Sequence, residues 1–150
     1  MNIDQEYMKE ALKNANIAYQ KDEVPVGAVI VRNGDIIAST YNLKENKHDA
    51  TMHAEILAIQ EACKKLNTTY LTDCDLYVTF EPCMMCTGAI INARLRKVVY
   101  GAYEKRFVSL ESILLHYTQK ELNHMPIFYG GVLEEECSQI ITNYFKKKRK

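Results

Sequence analysis

Asp75-Leu76-Tyr77-Val78-Thr79-Phe80-Glu81-Pro82-Cys83-Met84-Met85-Cys86 reads as a strand that turns directly into a helix. The first six residues have the nearly continuous apolar character of a strand covered on both faces. Glu81-Pro82 ends it, and a helix opens at Cys83 and continues through Ile90, Ile91 and Ala93. A thiolate at Cys83 is favoured by the helix dipole, and Cys86 follows one turn later on the same face. Lys97-Val98-Val99-Tyr100-Gly101 is the next strand, so strands and helices alternate from residue 75 onward. That alternation predicts crossover connections and parallel pairing for the later strands.

The Cys-x-x-Cys pair has a counterpart upstream, His53-Ala54-Glu55. One His and two Cys hold a zinc ion by three protein bonds. A structural zinc site closes all four positions, whereas a catalytic one leaves the fourth to water. Glu55, two residues from His53, is the group placed to move that water's protons. Taken alone, Cys-x-x-Cys also suits half of a zinc ribbon or a redox pair. Cys63, Cys74 and Cys137 supply no second pair for a ribbon. A redox motif leaves Pro82 and the His-x-Glu unexplained. Together the two half-motifs resemble the signature of hydrolytic zinc deaminases, with His53, Cys83 and Cys86 as Zn²⁺ ligands and Glu55 as the acid–base residue.

The rest of the chain frames this site. Residues 4–20 form an amphipathic helix with Asp4 as candidate cap and Tyr7, Met8, Ala11, Leu12, Ala15, Ala18 and Tyr19 on the apolar side. Val24-Pro25-Val26-Gly27 leads into the strand Ala28–Val31, and Asn33-Gly34 signals a hairpin into Asp35–Ala38. Gly27 either relieves packing or lets a ligand lie against the strand. Asn42, read by itself, is a turn residue in a polar loop. A second helix covers residues 51–66, capped by Asp49 or Thr51, with Ile56, Leu57, Ile59 and Ala62 buried. Ser109–His116 is a short helix followed by a polar loop. Pro126–Tyr129 is a strand, and Gly130-Gly131 separates it from a last helix carrying Leu133, Cys137, Ile140, Ile141, Tyr144 and Phe145.

At 150 residues the chain is read as one domain, residues 1–150. Its hydrophobic share of 47% and charged share of 25% are those of a soluble globular protein. No apolar run is long enough for a membrane span, and the start lacks an export signal, so the five Cys are expected to be reduced in a cytoplasm. Net charge is zero, yet residues 146–150 are all basic. Such a tail is either a solvated, frayed helix end or a handle for phosphate.

Over nearly its whole length the sequence resembles the cytidine-deaminase superfamily, and within it bacterial tRNA-specific adenosine deaminases of the TadA type. The resemblance is carried by Val24–Val29, His48-Asp49 with Thr51, His53-Ala54-Glu55, and Leu76–Thr79 leading into Glu81-Pro82-Cys83. Asn123-His124, Gly131-Val132-Leu133, Glu136-Cys137-Ser138 and Phe145 with the basic tail add the C-terminal pattern of the tRNA enzymes. It implies a three-layer α/β/α fold with a five-stranded mixed sheet, a homodimer, and the adenosine at the anticodon wobble position as substrate. Asn42 is then expected to hold the flipped base beside Val26, Gly27, Ala28 and Pro82, with Arg106 and the tail on RNA backbone. Two features depart from the family pattern. Ala50 and Met52 stand where Pro and Ala are usual, and the glycine-free segment Tyr103–Glu111 replaces a Gly-rich loop, with Arg106 in place of its Lys. The competing expectations are a deaminase of free bases or nucleosides and, further off, a non-catalytic zinc-stabilised nucleic-acid-binding module.

Overall fold

A computed structural model describes residues 1–149; Lys150, the end of the basic tail, lies outside the described residues. Its five strands form one sheet in the order β2-β1-β3-β4-β5. They are β1 (Gly27–Arg32), β2 (Asp35–Tyr41), β3 (Asp75–Phe80), β4 (Lys97–Ala102) and β5 (Ile127–Tyr129). β1 runs antiparallel to both β2 and β3, while β3/β4 and β4/β5 are parallel, so the sheet is mixed. Asn33 and Gly34, both at positive φ (51° and 82°), supply the left-handed pair that a tight hairpin requires.

Alternating strand residues face two helical layers. Ala28, Ile30, Leu76, Val78, Val98 and Tyr100 are buried with residues of α2 (Ala54–Leu66) and α3 (Met84–Ala93). Val29, Val31, Tyr77 and Val99 are buried with Met8 and Ala11 of α1 (Ile3–Gln20) and Cys137 of α6 (Glu134–Lys148). The architecture is therefore α/β/α. α4 (Leu110–His116) and the four-residue α5 (Gln119–Leu122) lie between β4 and β5. No helix among the described residues is long and apolar enough to cross a membrane.

Several local expectations shift. α1 is capped by Asn2 in a capping box with Gln5. Asp4 instead accepts hydrogen bonds from Tyr77 (2.7 Å) and Tyr129 (2.5 Å), tying α1 to the far half of the sheet. α2 starts at Ala54 with His53 as its cap residue, whereas Asp49 folds back on Thr51 in a turn of its own. The buried stripe of α2 is Ala54, Glu55, Ala58 and Ala62, and Ile56, Leu57 and Ile59 are only half-buried. Small residues let this helix lie close to the sheet. α6 continues through Lys148 without fraying, and Lys148 pairs with Asp22 at 2.6 Å.

Candidate active site

The strand-to-helix turn after β3 and the start of α2 bring the two half-motifs together. His53 and Cys83 are the cap residues of α2 and α3, and neither uses its side chain to cap. Their side chains are thus free to converge. His53 Nδ1 lies 3.6 Å from Cys83 Sγ and 3.5 Å from Cys86 Sγ, and the three candidate ligand atoms fall within 4.8 Å of one another. A tetrahedral ion with its usual Zn–S and Zn–N bond lengths needs an S···N separation of about 3.5 Å. The donor set therefore fits zinc.

The electrostatics of these groups fit a cation too. Accepting from Cys86, and then from His53, pulls the Cys83 thiol down to about 4 despite its burial. Cys86, donating to Cys83 and buried, is pushed far upward. Hydrogen bonding to Cys83 raises His53. The two thiols thus hold on to one proton that a zinc ion displaces, since a metal-ligating thiol is deprotonated. Glu55 is 4% exposed, and burial pushes its carboxyl up to about 7 against the pull of its own backbone N–H and of His53. A carboxyl in that range suits proton transfer at neutral pH.

His53, Glu55 and Cys83 line a cavity of about 340 Å³ beside the carboxyl end of β3, as open α/β sheets place their ligands, and Cys86 is fully buried. Val24, Val26, Asn42 and Lys44 line one side; Phe80, Glu81, Glu104, Arg106 and Phe107 another; Ile141 and Phe145 of α6 complete it. Val26, Asn42 and Arg106 thus all line the cavity. Gly27, Ala28 and Pro82 do not line the cavity. A Cβ on Gly27 would meet the Ala11 carbonyl oxygen at 2.0 Å, so this glycine serves the close approach of α1. Ala28 is wholly buried in the sheet, and the Pro82 carbonyl accepts from Leu110 N–H at 3.0 Å.

Sequence reasoning missed the cavity's supports. Glu81, 4% exposed, accepts from Glu104 N–H (3.0 Å), Ser109 Oγ (2.8 Å) and Glu111 N–H (2.8 Å), pinning both ends of the glycine-free segment. Its place directly before Pro82-Cys83 was the available signal. Arg106 stacks on Phe107 (5.1 Å) and Phe145 (6.0 Å), which joins that segment to α6. Lys44, on the polar loop after β2, also lines the cavity. Of the C-terminal motif, Phe145 reaches the cavity, whereas His124 and Cys137 act away from it: His124 Nε2 bonds the Leu95 carbonyl at 2.7 Å, and Cys137 fits against Gly101, where a Cβ would meet its sulfur at 2.3 Å.

Comparison with known proteins agrees with this geometry. The model of the MafB19-like deaminase family matches residues 2–149. The tRNA-specific adenosine deaminase of Bacillus subtilis (strain 168) is 45% identical over 150 residues, covering 100% of this chain and 93% of that protein. A structure solved in studies of A-to-I editing by tRNA:A34 deaminases at the wobble position superimposes with a TM-score of 0.85 at 41% identity, covering 90% of this chain and 98% of that one. The guanine deaminase of Nitrosomonas europaea, at 23% identity and a TM-score of 0.78 over 93% of this chain and 83% of that one, shares the fold. Matched along its whole length, this chain belongs to the MafB19-like deaminases and, among them, to the family of tRNA-specific adenosine deaminases.

Proposed function

We propose that the whole chain is one zinc-dependent deaminase domain that converts adenosine to inosine at the wobble position of a tRNA anticodon. The observation that carries this reading is the His53–Cys83–Cys86 triangle with the buried Glu55 in the same cavity. His53, Cys83 and Cys86 hold the Zn²⁺, which when bound supplies Lewis-acid activation of a water molecule. Glu55 takes the proton released as the water oxygen bonds to C6 of adenine. It passes that proton to the ring nitrogen, then carries the second proton of the added water from the new C6–OH to the leaving amine as the C–N bond breaks, so water is consumed and ammonia departs. Asn42 holds the base, with Val26 and Phe80 as apolar walls. Gly27, Ala28 and Pro82 shape the wall from behind.

The substrate must present an unstacked base, which costs less in an anticodon loop than in a duplex. Arg106, Lys105, Lys148 and Arg149 line a groove that shares Phe80, Glu104 and Phe145 with the cavity, and they offer cations to RNA phosphates. Homodimer formation is supported by Met84 (61% exposed) on α3 and Leu115 (75%) on α4, apolar groups that a monomer would leave in water next to the site. Five unpaired cysteines suit the reducing cytoplasm.

The deciding experiment is ammonia release by the zinc-loaded protein from an anticodon stem-loop with adenine at the wobble position, beside a panel of free bases and nucleosides. Turnover on the stem-loop, weakening steeply as salt rises, is the expected result. Turnover confined to the free panel would overturn the RNA assignment while keeping the zinc chemistry.

A further inference from the structure

Glu23 lies outside the cavity, in the turn between α1 and β1, and is fully buried. A buried carboxylate is tolerated only when its lone pairs are filled. Here every partner comes from one loop. One oxygen accepts from the backbone N–H of Glu45 at 3.0 Å; the other accepts from the backbone N–H and the side-chain amide of Asn46, both at 2.6 Å. The Asn46 amide also donates to the Lys21 carbonyl at 3.1 Å. Residues 21–24 and 42–46 are thereby clamped to each other through one negative charge.

Asn42 sits between those two segments. Its Nδ2 donates to the Val24 carbonyl at 3.3 Å, and its Oδ1 accepts from the Lys44 N–H at 3.4 Å. Both bonds are long, and neither alone fixes the plane of the carboxamide. Val24 follows Glu23 in the chain, and Lys44 precedes Glu45, whose N–H Glu23 holds. Once these two bonds are made, a carboxamide has one N–H and one lone pair to spare. A donor beside an acceptor matches the edge of a purine.

We propose that Glu23 is a positioning residue for the deaminase: it fixes the Asn42 carboxamide, through both of that group's partners, in the orientation that receives the base. Glu23 itself touches no substrate. The inference rests on the adenosine-deaminase reading for the identity of the base and goes beyond it in assigning this clamp.

A double-mutant cycle tests it in the zinc-loaded protein. E23Q turns an amide donor towards N–H groups, and kcat/KM for the stem-loop falls roughly 10- to 100-fold, more through KM than kcat, with zinc content unchanged. In an N42A background the same substitution adds less than about two-fold, because the group it acts through is gone. Fully multiplicative effects overturn the proposal, as does an unchanged E23Q enzyme. N46A removes the side-chain bonds of an exposed residue to Glu23 and to the Lys21 carbonyl and serves as the milder arm: a smaller loss, equally absent with N42A. It decides the matter if E23Q fails to fold. Affinity for a labelled stem-loop gives the same cycle without turnover. If wild type acts only on free nucleosides, the functional reading falls, and the cycle measured on those nucleosides still accepts or rejects the clamp.

Discussion

Glu55, Glu81 and Glu23 are the same side chain, nearly or fully buried, in three different jobs. Glu81 and Glu23 each accept three hydrogen bonds from loop N–H or hydroxyl groups, and both hold backbone in place. Glu55 has no such ring of donors, so burial dominates and lifts its carboxyl from the ordinary 4.5 to about 7. This has a measurable consequence once zinc is removed. An acid whose folded pKa is raised contributes stability that is present below its unfolded pKa and lost as pH rises through the folded one. Between about 4.5 and 7 the chelated wild type therefore loses stability relative to E55Q, by on the order of 3 kcal/mol at the upper end. The comparison with E55Q reads what the Glu55 carboxyl adds together with its coupling to His53 and Cys83, the latter's lowered value working in the opposite direction. Urea unfolding of both apoproteins across this window checks the prediction, and parallel curves would refute it. The same E55Q enzyme retains zinc and loses turnover.

At the scale of elements, helices reach the sheet through small residues. α2 buries alanines, and α1 meets β1 where Gly27 has no side chain, with Asn14 donating to the Ala28 carbonyl at 3.2 Å to fasten the contact. G27A drives a methyl into the α1 backbone. Overpacking of this kind costs about 1–3 kcal/mol, a fall in Tm of several degrees for a chain of this size. Thermal unfolding of the zinc-loaded variant measures it, and an unchanged midpoint would show that α1 moves aside freely. The hairpin, the parallel strands and α3 follow from alternation and turn chemistry. α5 does not, because four residues are too few to show a period. The cap of α1 was misread for a tertiary reason: Tyr77 and Tyr129, 73 and 125 residues away, claim Asp4.

For the whole molecule, the cavity draws on the turn before β1, the loop after β2, the start of α2, the end of β3, the segment after β4 and the middle of α6. The strand order makes this possible by setting β1 directly beside β3. Among the exposed large apolar residues, Met84 and Met85 on α3 and Leu115 on the adjoining α4 form a patch beside the site. Sedimentation of the zinc-loaded protein at micromolar concentration is expected to give twice the chain mass, and M84K together with L115K to give the monomer. A wild-type monomer would leave that patch without a function.

The sequence by itself brought both half-motifs into view. His-x-Glu and Pro-Cys-x-x-Cys resemble a zinc-deaminase signature, which is legible in one dimension because ligand type and spacing are local properties. Asn42 and Val26 were legible as contacts to the base, and Arg106 as a contact to RNA backbone, only through family resemblance. Only the tertiary structure decided which residues hold the pocket open. Glu23 carries no periodicity or motif of its own, and Glu81 stands in the Glu-Pro-Cys motif without declaring its role; the meaning of both lies in loop N–H and hydroxyl groups 22 to 30 residues away that reach them only when the chain is folded. Gly27 made the same point in reverse. Its missing side chain suggested room for a ligand, and folding gave that room to a helix, since a Cβ there would meet the α1 backbone at 2.0 Å.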